Sequence, residues 1–308
     1  MRRIVVLDAA SNLGLVQPRD GHEPGVRKMP DALRGQGIVA RLSAEDGGRV
    51  VPPPYSFDLE PVTGYRNAPA IAQFSVDLAD RLGALLDTGA FPFVLGGDCS
   101  ILLGPALALR RRGTYGLAFL DGHDDYSPPR YPPTVPGRYT AAGHDLGLAA
   151  GHGPNLLTDL DGLRPYVEER HVVHIGLQRE PDNELIRTED FDASAIRSYP
   201  VEHIRSHGAA TTAAQARADL DAMPIGGFWI HVDADVLDRT VMPAVDSPNS
   251  NGLSLSEFST VLAALLASPR AIGMHVAIYD PERDPTGQAA AALVDAIVNA
   301  FQDANARR

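Results

Sequence analysis

The chain contains a single cysteine, Cys99, so it cannot form an internal disulfide bond. Disulfide bonds persist mainly in oxidising compartments, and a chain without one fits a reducing compartment. The amino terminus is charged and then briefly apolar, but Asp8 interrupts the apolar run before the core of a secretion signal could form. Together these features predict a cytoplasmic protein.

The sequence also lacks the features of a membrane protein or a nucleic-acid-binding protein. No apolar run approaches the roughly 20 residues that span a bilayer. Basic residues are scarce, with 27 Lys and Arg against 39 Asp and Glu, a formal net charge of -12 and a pI near 5.2. Such a surface offers no basic stripe to phosphate groups, so we expect binding neither to nucleic acid nor to a membrane.

Length and periodicity favour one large α/β domain. The 308 residues are 44% hydrophobic, enough for a large core, and no linker, internal repeat or low-complexity tract divides residues 1–308. Apolar runs typical of strands alternate with helical periodicity, which predicts a mostly parallel sheet covered on both faces. Strands are predicted at 3–7, 49–51, 91–95, 115–120, 172–177, 198–204, 228–232 and 271–279, and helices at 29–34, 67–87, 101–111, 146–150, 211–222, 256–268 and 286–301.

Acidic side chains follow two of the predicted strands. In extended chain, alternate positions project to the same face, so each group can converge on one point. The purely structural interpretation is that these acids form solvated turns or helix caps. Their repetition after two buried runs instead favours metal binding, because so much buried negative charge requires cations, and carboxylates with one imidazole suit Mn²⁺. The five potential ligands are Asp121, His123, Asp125, Asp233 and Asp235.

Two glycines precede Asp98, Cys99 and Ser100, immediately after the predicted strand 91–95. Paired glycines permit a tight turn from strand to helix and place these three side chains at the end of the sheet. Ser100 is a reasonable helix cap. Cys99 is either an inert buried thiol or a ligand, and the motif alone does not decide between them.

Three segments resemble, in order and spacing, the signatures of the ureohydrolases, the arginase and agmatinase family. The resemblance implies a three-layer α-β-α fold with a central parallel sheet of about eight strands. It also implies two divalent metal ions, most commonly Mn²⁺, and assembly of the chain into homo-oligomers, either trimers or hexamers. The three segments are 96–100, 121–125 and 233–238, supported by weaker likeness at 28–34 and 252–254.

The resemblance assigns a role to each acidic position. Asp121 and Asp233 correspond to carboxylates shared between the two ions. His123 and Asp235 complete one ion, and Asp125 completes the other. The implied reaction is attack of a metal-bridging hydroxide on the carbon of a guanidinium or amidine group, which releases an amine and urea or a urea analogue.

Cys99 stands where the family has a histidine as sixth ligand. A thiolate is softer than imidazole and must lose its proton to bind, so we expect weaker Mn²⁺ binding and a preference for a softer ion there. The alternative is a buried thiol beside a site that keeps one metal ion.

His144 matches the family's proton-shuttle histidine and is the candidate donor to the leaving amine, the alternative being an ordinary loop histidine. It follows the stretch 126–143, whose five prolines predict an irregular loop that is functional or disordered.

The sequence leaves the identity of the substrate open. Ile278 occupies the position at which the family has a glutamate that binds the guanidinium, and the acids of the loop 178–182 are out of register. Arginine itself is therefore doubtful, and other guanidino compounds are alternatives. A non-catalytic or single-metal relative, acting as a binding or assembly module, competes with the enzyme. A deacetylase of related fold is disfavoured, because the chain has no pair of adjacent histidines.

Overall fold

Eight strands form one sheet in the computed structural model, which describes residues 2–58, 60–126, 140–178 and 189–307. Every pairing between neighbouring strands is parallel. The strands are β1 Ile4–Ala9, β2 Glu45–Val50, β3 Phe91–Leu95, β4 Gly116–Leu120, β5 Val172–Ile175, β6 Arg197–Tyr199, β7 Phe228–Asp233 and β8 Ala271–Ala277. The order across the sheet is β2-β1-β3-β8-β7-β4-β5-β6.

Helices cover both faces of this sheet. One hydrophobic core lies between the sheet and the helices 68–87 and 103–110, and a second lies between the sheet and the helices 209–222, 255–267 and 288–306. Every residue of β3, β4 and β7 is buried, as expected for parallel strands between two helical layers. The predicted three-layer α-β-α fold is confirmed. The helices are α1 Met29–Gly35, α2 Ile38–Arg41, α3 Ala68–Asp87, α4 Leu103–Arg110, α5 Asp145–Ala149, α6 Asn155–Thr158, α7 Glu189–Asp192, α8 Val201–His207, α9 Ala209–Ala222, α10 Leu255–Ala267 and α11 Gln288–Ala306.

Most predicted elements form within a few residues of their expected bounds, and the exception is 198–204. Only β6 pairs there, and it ends at Tyr199. Pro200 follows in extended conformation, has no N–H to donate to a ladder, and leads directly into α8. The predicted strand is therefore wrong beyond Tyr199.

The loops that carry the predicted metal ligands follow the carboxyl ends of the central strands. β7 pairs with β4 on one side and β8 on the other, with Leu120 beside Val232 and Asp233 beside Ala277. The acids that follow β4 and β7 are thus brought to the same edge, where open parallel sheets bind their ligands. The proline-rich loop lies largely at 127–139, outside the described residues.

Among the described residues, no helix combines the length and apolar character required to cross a membrane.

Candidate metal centre

Five of the six predicted ligands lie in two adjoining groups. The ligand atoms of Asp121, His123 and Asp235 are all within 4.8 Å of one another. His123 Nδ1 is 3.0 Å from Asp235 Oδ2 and 3.9 Å from Asp121 Oδ1. The Cys99 Sγ–H donates a hydrogen bond of 2.7 Å to Asp233 Oδ2. The two acidic segments and the cysteine turn, distant in sequence, thus meet at one place.

The two carboxylates predicted to be shared, Asp121 and Asp233, are held by the turns that follow their strands. Asp121 Oδ1 accepts the backbone N–H of His123 at 2.6 Å, and Asp233 Oδ1 accepts that of Asp235 at 2.7 Å. In each turn the side chain bonds the backbone two residues on, which is the preferred local structure of aspartate. The Gly122 N–H also donates to Asp235 Oδ1 at 3.2 Å. This bond joins the two turns directly.

Two glycines allow the segments to approach so closely. A Cβ at Gly122 would lie 2.2 Å from Asn249 Nδ2, and one at Gly97 would lie 1.7 Å from the carbonyl oxygen of Ser11. The Ser11 carbonyl is backbone and cannot move cheaply, and a Cβ at Gly122 would also lie 2.9 Å from the backbone carbonyl oxygen of Asp235. Asp98, not the predicted Ser100, caps the turn that carries Cys99, by accepting the N–H of Ser100 at 2.9 Å.

The buried carboxylates would repel one another if all of them were ionised. Burial, followed by the neighbouring carboxylates, raises the pKa of Asp121, Asp125 and Asp233 well above the usual range. Burial alone would lower the pKa of His123, but the carboxylates of Asp235 and Asp125 raise it to about 10. Burial and Asp233 raise the pKa of the Cys99 thiol. Each shift records the cost of concentrating negative charge in protein.

Divalent cations fit these residues. The donor set is carboxylate oxygen, one imidazole and one thiol, which matches Mn²⁺ on the oxygen-rich side and tolerates a softer ion at sulfur. Among the described residues, the buried Asp121 Oδ2 has no hydrogen-bond partner, which leaves a carboxylate oxygen available for a cation. Within the described residues, no hydrogen bond to Asp121 Oδ2 has to be broken before this oxygen can bind a metal ion.

Asp125 lies beside these groups rather than inside them. It is half-buried, adopts a positive φ of 40°, and its pKa is raised by burial and then by Asp235 after the opposing effect of His123. A positive φ is uncommon for a residue other than glycine and occurs often at functional sites. Its role as ligand stays a prediction.

His144 is buried and both of its ring nitrogens are engaged. Tyr65 Oη is 2.7 Å from Nδ1, and Nε2 is 3.1 Å from the carbonyl oxygen of Tyr126. A carbonyl only accepts, so Nε2 carries the hydrogen and Nδ1 accepts from the tyrosine. Burial lowers the pKa of His144 to about 4. Its role as proton donor stays a prediction.

Sequence reasoning missed two buried residues at this site. His231 lies beside Cys99 and Asp233, with its Nε2 3.6 Å from Asp121 Oδ2. The alternation that identified Asp233 and Asp235 would have found His231 if extended by two residues. Asp145 lies 3.8 Å from His231 Nδ1, and neither of its carboxylate oxygens has a hydrogen-bond partner in the described part of the chain. In the sequence, the only signal for Asp145 was its position directly after His144.

Ile278 is predicted to stand in place of a glutamate that binds the guanidinium. Ile278 is buried with a φ of 71°, and its N–H donates to the carbonyl of Gly97 at 2.7 Å. An accessible acid, Asp246, lies on the loop after β7, and desolvation by the surrounding protein and the carboxylate of Asp235 raise its pKa to about 6. The acids predicted to be shifted in the loop 179–182 lie outside the described residues.

The comparison with protein families decides the identity of this arrangement. The model of the arginase family matches residues 3–302. The chain belongs to the arginase family. It is therefore a metal-dependent hydrolase that acts on carbon–nitrogen bonds, and the recognition made from its three signatures is confirmed.

Individual members of the arginase family resemble the chain over nearly its whole length. The arginase of Bacillus caldovelox is 26% identical over 309 residues, which cover 96% of this chain and 98% of that protein. Its crystal structure superposes with a TM-score of 0.84 at 23% identity over 98% of both chains. A proclavaminate amidino hydrolase from Streptomyces clavuligerus has the same fold, with a TM-score of 0.72 at 20% identity over 98% of this chain and 93% of that one.

Proposed function

We propose that the chain hydrolyses a guanidino or amidino compound to an amine and urea or a urea analogue, using two divalent cations. The observation that carries this proposal is the convergence of the two acidic turns and Cys99 in two adjoining, largely buried groups. A pair of divalent ions lowers the pKa of a water molecule held between them and so supplies a nucleophile near neutral pH.

The residues divide into two groups around the proposed ions. Asp121 follows β4 and Asp233 ends the neighbouring β7, and these two carboxylates would be shared between the ions. His123 and Asp235, 3.0 Å apart, would hold one ion. Asp125 and Cys99 would complete the other, and Asp125 would also hold the nucleophile in line with the substrate carbon. His144 is the proposed donor of a proton to the leaving amine.

The donor types favour different metals at the two positions. Mn²⁺ suits the carboxylates and imidazole of one position, and a softer ion suits the Cys99 thiolate of the other. Burial opposes ionisation of this thiol, so occupation of its position should require a higher pH than in a site built with imidazole.

The substrate carries a cationic guanidinium or amidinium group, in keeping with the family. Ile278 offers no charge to bind it. We propose that the carboxylate of Asp246 attracts the cation instead, because it is accessible and lies near the centre on the loop after β7. The proclavaminate amidino hydrolase, which has this fold, is a precedent for a substrate other than arginine. Assembly into trimers or hexamers and a cytoplasmic location stay predictions.

A single-metal relative that binds without catalysing is the second candidate. Two observations favour it: the thiol of Cys99 already satisfies Asp233 by a hydrogen bond, and Ile278 removes the expected acid. In that case only the His123 side of the centre would hold an ion.

One experiment separates the two candidates. Purified protein is loaded in turn with Mn²⁺, Co²⁺, Ni²⁺ and Zn²⁺, its metal content is measured, and urea or amine release is screened over guanidino and amidino compounds. Two ions per chain with turnover of at least one compound, both lost in Asp121→Ala, support the enzyme. One ion per chain and no turnover with any metal support the binding module.

A further inference from the structure

Trp229, His275 and His231 form a line of hydrogen bonds that ends at the candidate metal centre. Trp229 Nε1 is 2.8 Å from His275 Nδ1, and His275 Nε2 is 2.6 Å from His231 Nδ1. All three side chains are at most 1% exposed. His231 Nε2 then faces Asp121 Oδ2 at 3.6 Å, just outside hydrogen-bonding distance, and neither atom has another partner among the described residues.

The strand register builds this line. Trp229 and His231 share one face of β7, and on β8 they stand opposite Gly273 and His275. A Cβ at Gly273 would lie 2.1 Å from the Trp229 ring, so glycine lets the indole lie across β8 and reach the imidazole. From the other side Phe119, paired with His231 in β4, stacks on its ring at 4.3 Å and 6°. The plane of the His231 ring is thereby fixed.

Counting hydrogens along the line determines where each imidazole is protonated. The indole N–H only donates, so His275 Nδ1 must accept and carries no hydrogen. The one hydrogen of neutral His275 is then on Nε2 and is donated to His231 Nδ1. His231 must in turn carry its hydrogen on Nε2. A second proton on either ring would set two N–H groups against each other, at the Trp229–His275 contact or at the His275–His231 contact, so both imidazoles are neutral.

Turning either ring over does not change this result. A flipped His275 would present carbon atoms to both of its partners, and a flipped His231 would place a carbon atom against His275 Nε2 at the distance of a hydrogen bond. Both buried hydrogen bonds would be lost.

We propose that Trp229, acting through His275, holds His231 in the tautomer whose Nε2–H faces Asp121, so that His231 orients this carboxylate and is excluded from coordinating a metal ion. The inference rests on the proposed two-ion site, in which Asp121 is shared. A ring nitrogen that carries hydrogen has no lone pair for a cation. His231 is thus a positioning residue, and Trp229 is a determinant of metal selectivity.

The alternative is that His231 coordinates a metal ion through Nε2. Its proximity to Cys99 and Asp233 would permit this, but the positions of the ring hydrogens would not. His231 lies close enough to Cys99 and Asp233 to share an ion with them. Coordination would move its hydrogen to Nδ1, and both nitrogens of His275 would then have to accept. His275 would need to become an anion, or the buried indole N–H would lose its partner, and each is costly.

The tautomer is measurable directly. Protein labelled with ¹⁵N in histidine is studied by magic-angle-spinning NMR, which distinguishes protonated from bare ring nitrogens in assemblies of any size. His231→Gln and His275→Gln assign the two rings by loss of signal. We expect His231 to carry hydrogen on Nε2 in metal-free protein and after loading with Zn²⁺. Hydrogen on Nδ1 in either state overturns the inference.

Trp229→Phe provides the second arm. It removes the indole donor, so His275 can hold its hydrogen on Nδ1 and His231 can release Nε2 to a cation. We expect Zn²⁺ to bind about tenfold more tightly, with a bare, coordinated Nε2 in the spectrum. This gain must vanish in Trp229→Phe combined with His231→Gln.

Equal Zn²⁺ affinities in wild type and Trp229→Phe, or a gain that survives loss of His231, overturn the inference. If Trp229→Phe does not fold, the wild-type spectra still decide. Metal analysis is read separately: fewer than two ions per chain contradicts the proposed function, while the metal-free spectrum still reports the tautomer.

Discussion

The metal-free protein should lose stability between about pH 5 and 8, and Asp121→Asn should remove part of this loss. Asp121 is fully buried, and burial with the carboxylates of Asp125 and Asp233 raises its pKa well above the usual range. A carboxyl with a pKa raised by folding contributes full stability below its unfolded pKa of about 3.9 and loses it as the pH rises through the folded value. The loss therefore begins near pH 4 and ends once the pH exceeds the folded pKa of Asp121.

The size of the effect follows from the protons involved. Each proton that the folded protein keeps and the unfolded chain releases lowers the free energy of unfolding by about 1.4 kcal/mol for each pH unit between the unfolded and the folded pKa of its group. Above about pH 6.5 His123 acts in the same direction, because its pKa is raised to about 10. Asparagine at position 121 keeps the volume and the bond from the His123 N–H, so the variant should lose one proton's share of the slope.

The assay is urea unfolding at pH 5, 6, 7 and 8 with a chelator, at one protein concentration. Asp238→Asn is the control: hydrogen bonds from Thr240 lower the pKa of Asp238, so this variant should lose stability equally across the range. Excess Mn²⁺ should flatten the wild-type profile, because cations favour the ionised carboxylates. A flat wild-type profile without metal, or parallel profiles for wild type and Asp121→Asn, would refute the reasoning.

Three further predictions concern single side chains. Cys99→His should raise Mn²⁺ affinity about tenfold over wild type in a chelator competition, whereas Cys99→Ser should not, and an affinity that is unchanged or lower in Cys99→His contradicts the assignment of Cys99 as a ligand. If His144 donates a proton to the leaving amine, His144→Gln should lower kcat by roughly 10² or more with an altered pH profile, and equal losses in Tyr65→Phe would indicate a structural role instead. Asp246→Asn should raise KM for a cationic substrate about tenfold at constant kcat, and an unchanged KM would remove Asp246 from substrate binding.

The parts of the site that follow local rules were predictable from the sequence. Alternation predicted that Asp121 lies with His123, and Asp233 with Asp235, and the structure holds each pair together in a turn after its strand rather than in extended chain. The preference of ligand sites for the carboxyl ends of parallel strands then brought the two pairs together. Both inferences need only periodicity and the polarity of neighbouring residues, which the sequence displays directly.

Other features depend on contacts that no local pattern records. The bond between His144 and Tyr65 joins residues 79 positions apart. The reach of Trp229 to His275 requires β8 to place Gly273 opposite the indole, which is a matter of register between strands. The end of β6 at Tyr199 was misjudged because apolar residues continue through α8, where Val201 and Ile204 are buried as helix residues rather than strand residues.

Cys99 and His231 each direct a hydrogen-bond donor toward one of the two carboxylates proposed to be shared. The Cys99 thiol donates to Asp233 at 2.7 Å, and the proposed His231 tautomer aims an N–H at Asp121 from 3.6 Å. Both donors are neutral, since burial and the neighbouring acids raise the pKa of the thiol and burial lowers that of the imidazole.

The two donors differ in what metal binding demands of them. His231 can keep its hydrogen, but Cys99 must release a proton in order to ligate. If Cys99 is a ligand, affinity for the softer ion should therefore rise about tenfold more per pH unit in wild type than in Cys99→Ser, below the pKa of the thiol. Equal pH dependence in the two proteins would mean that the thiol stays protonated on Asp233 and that the ion is held by oxygen alone.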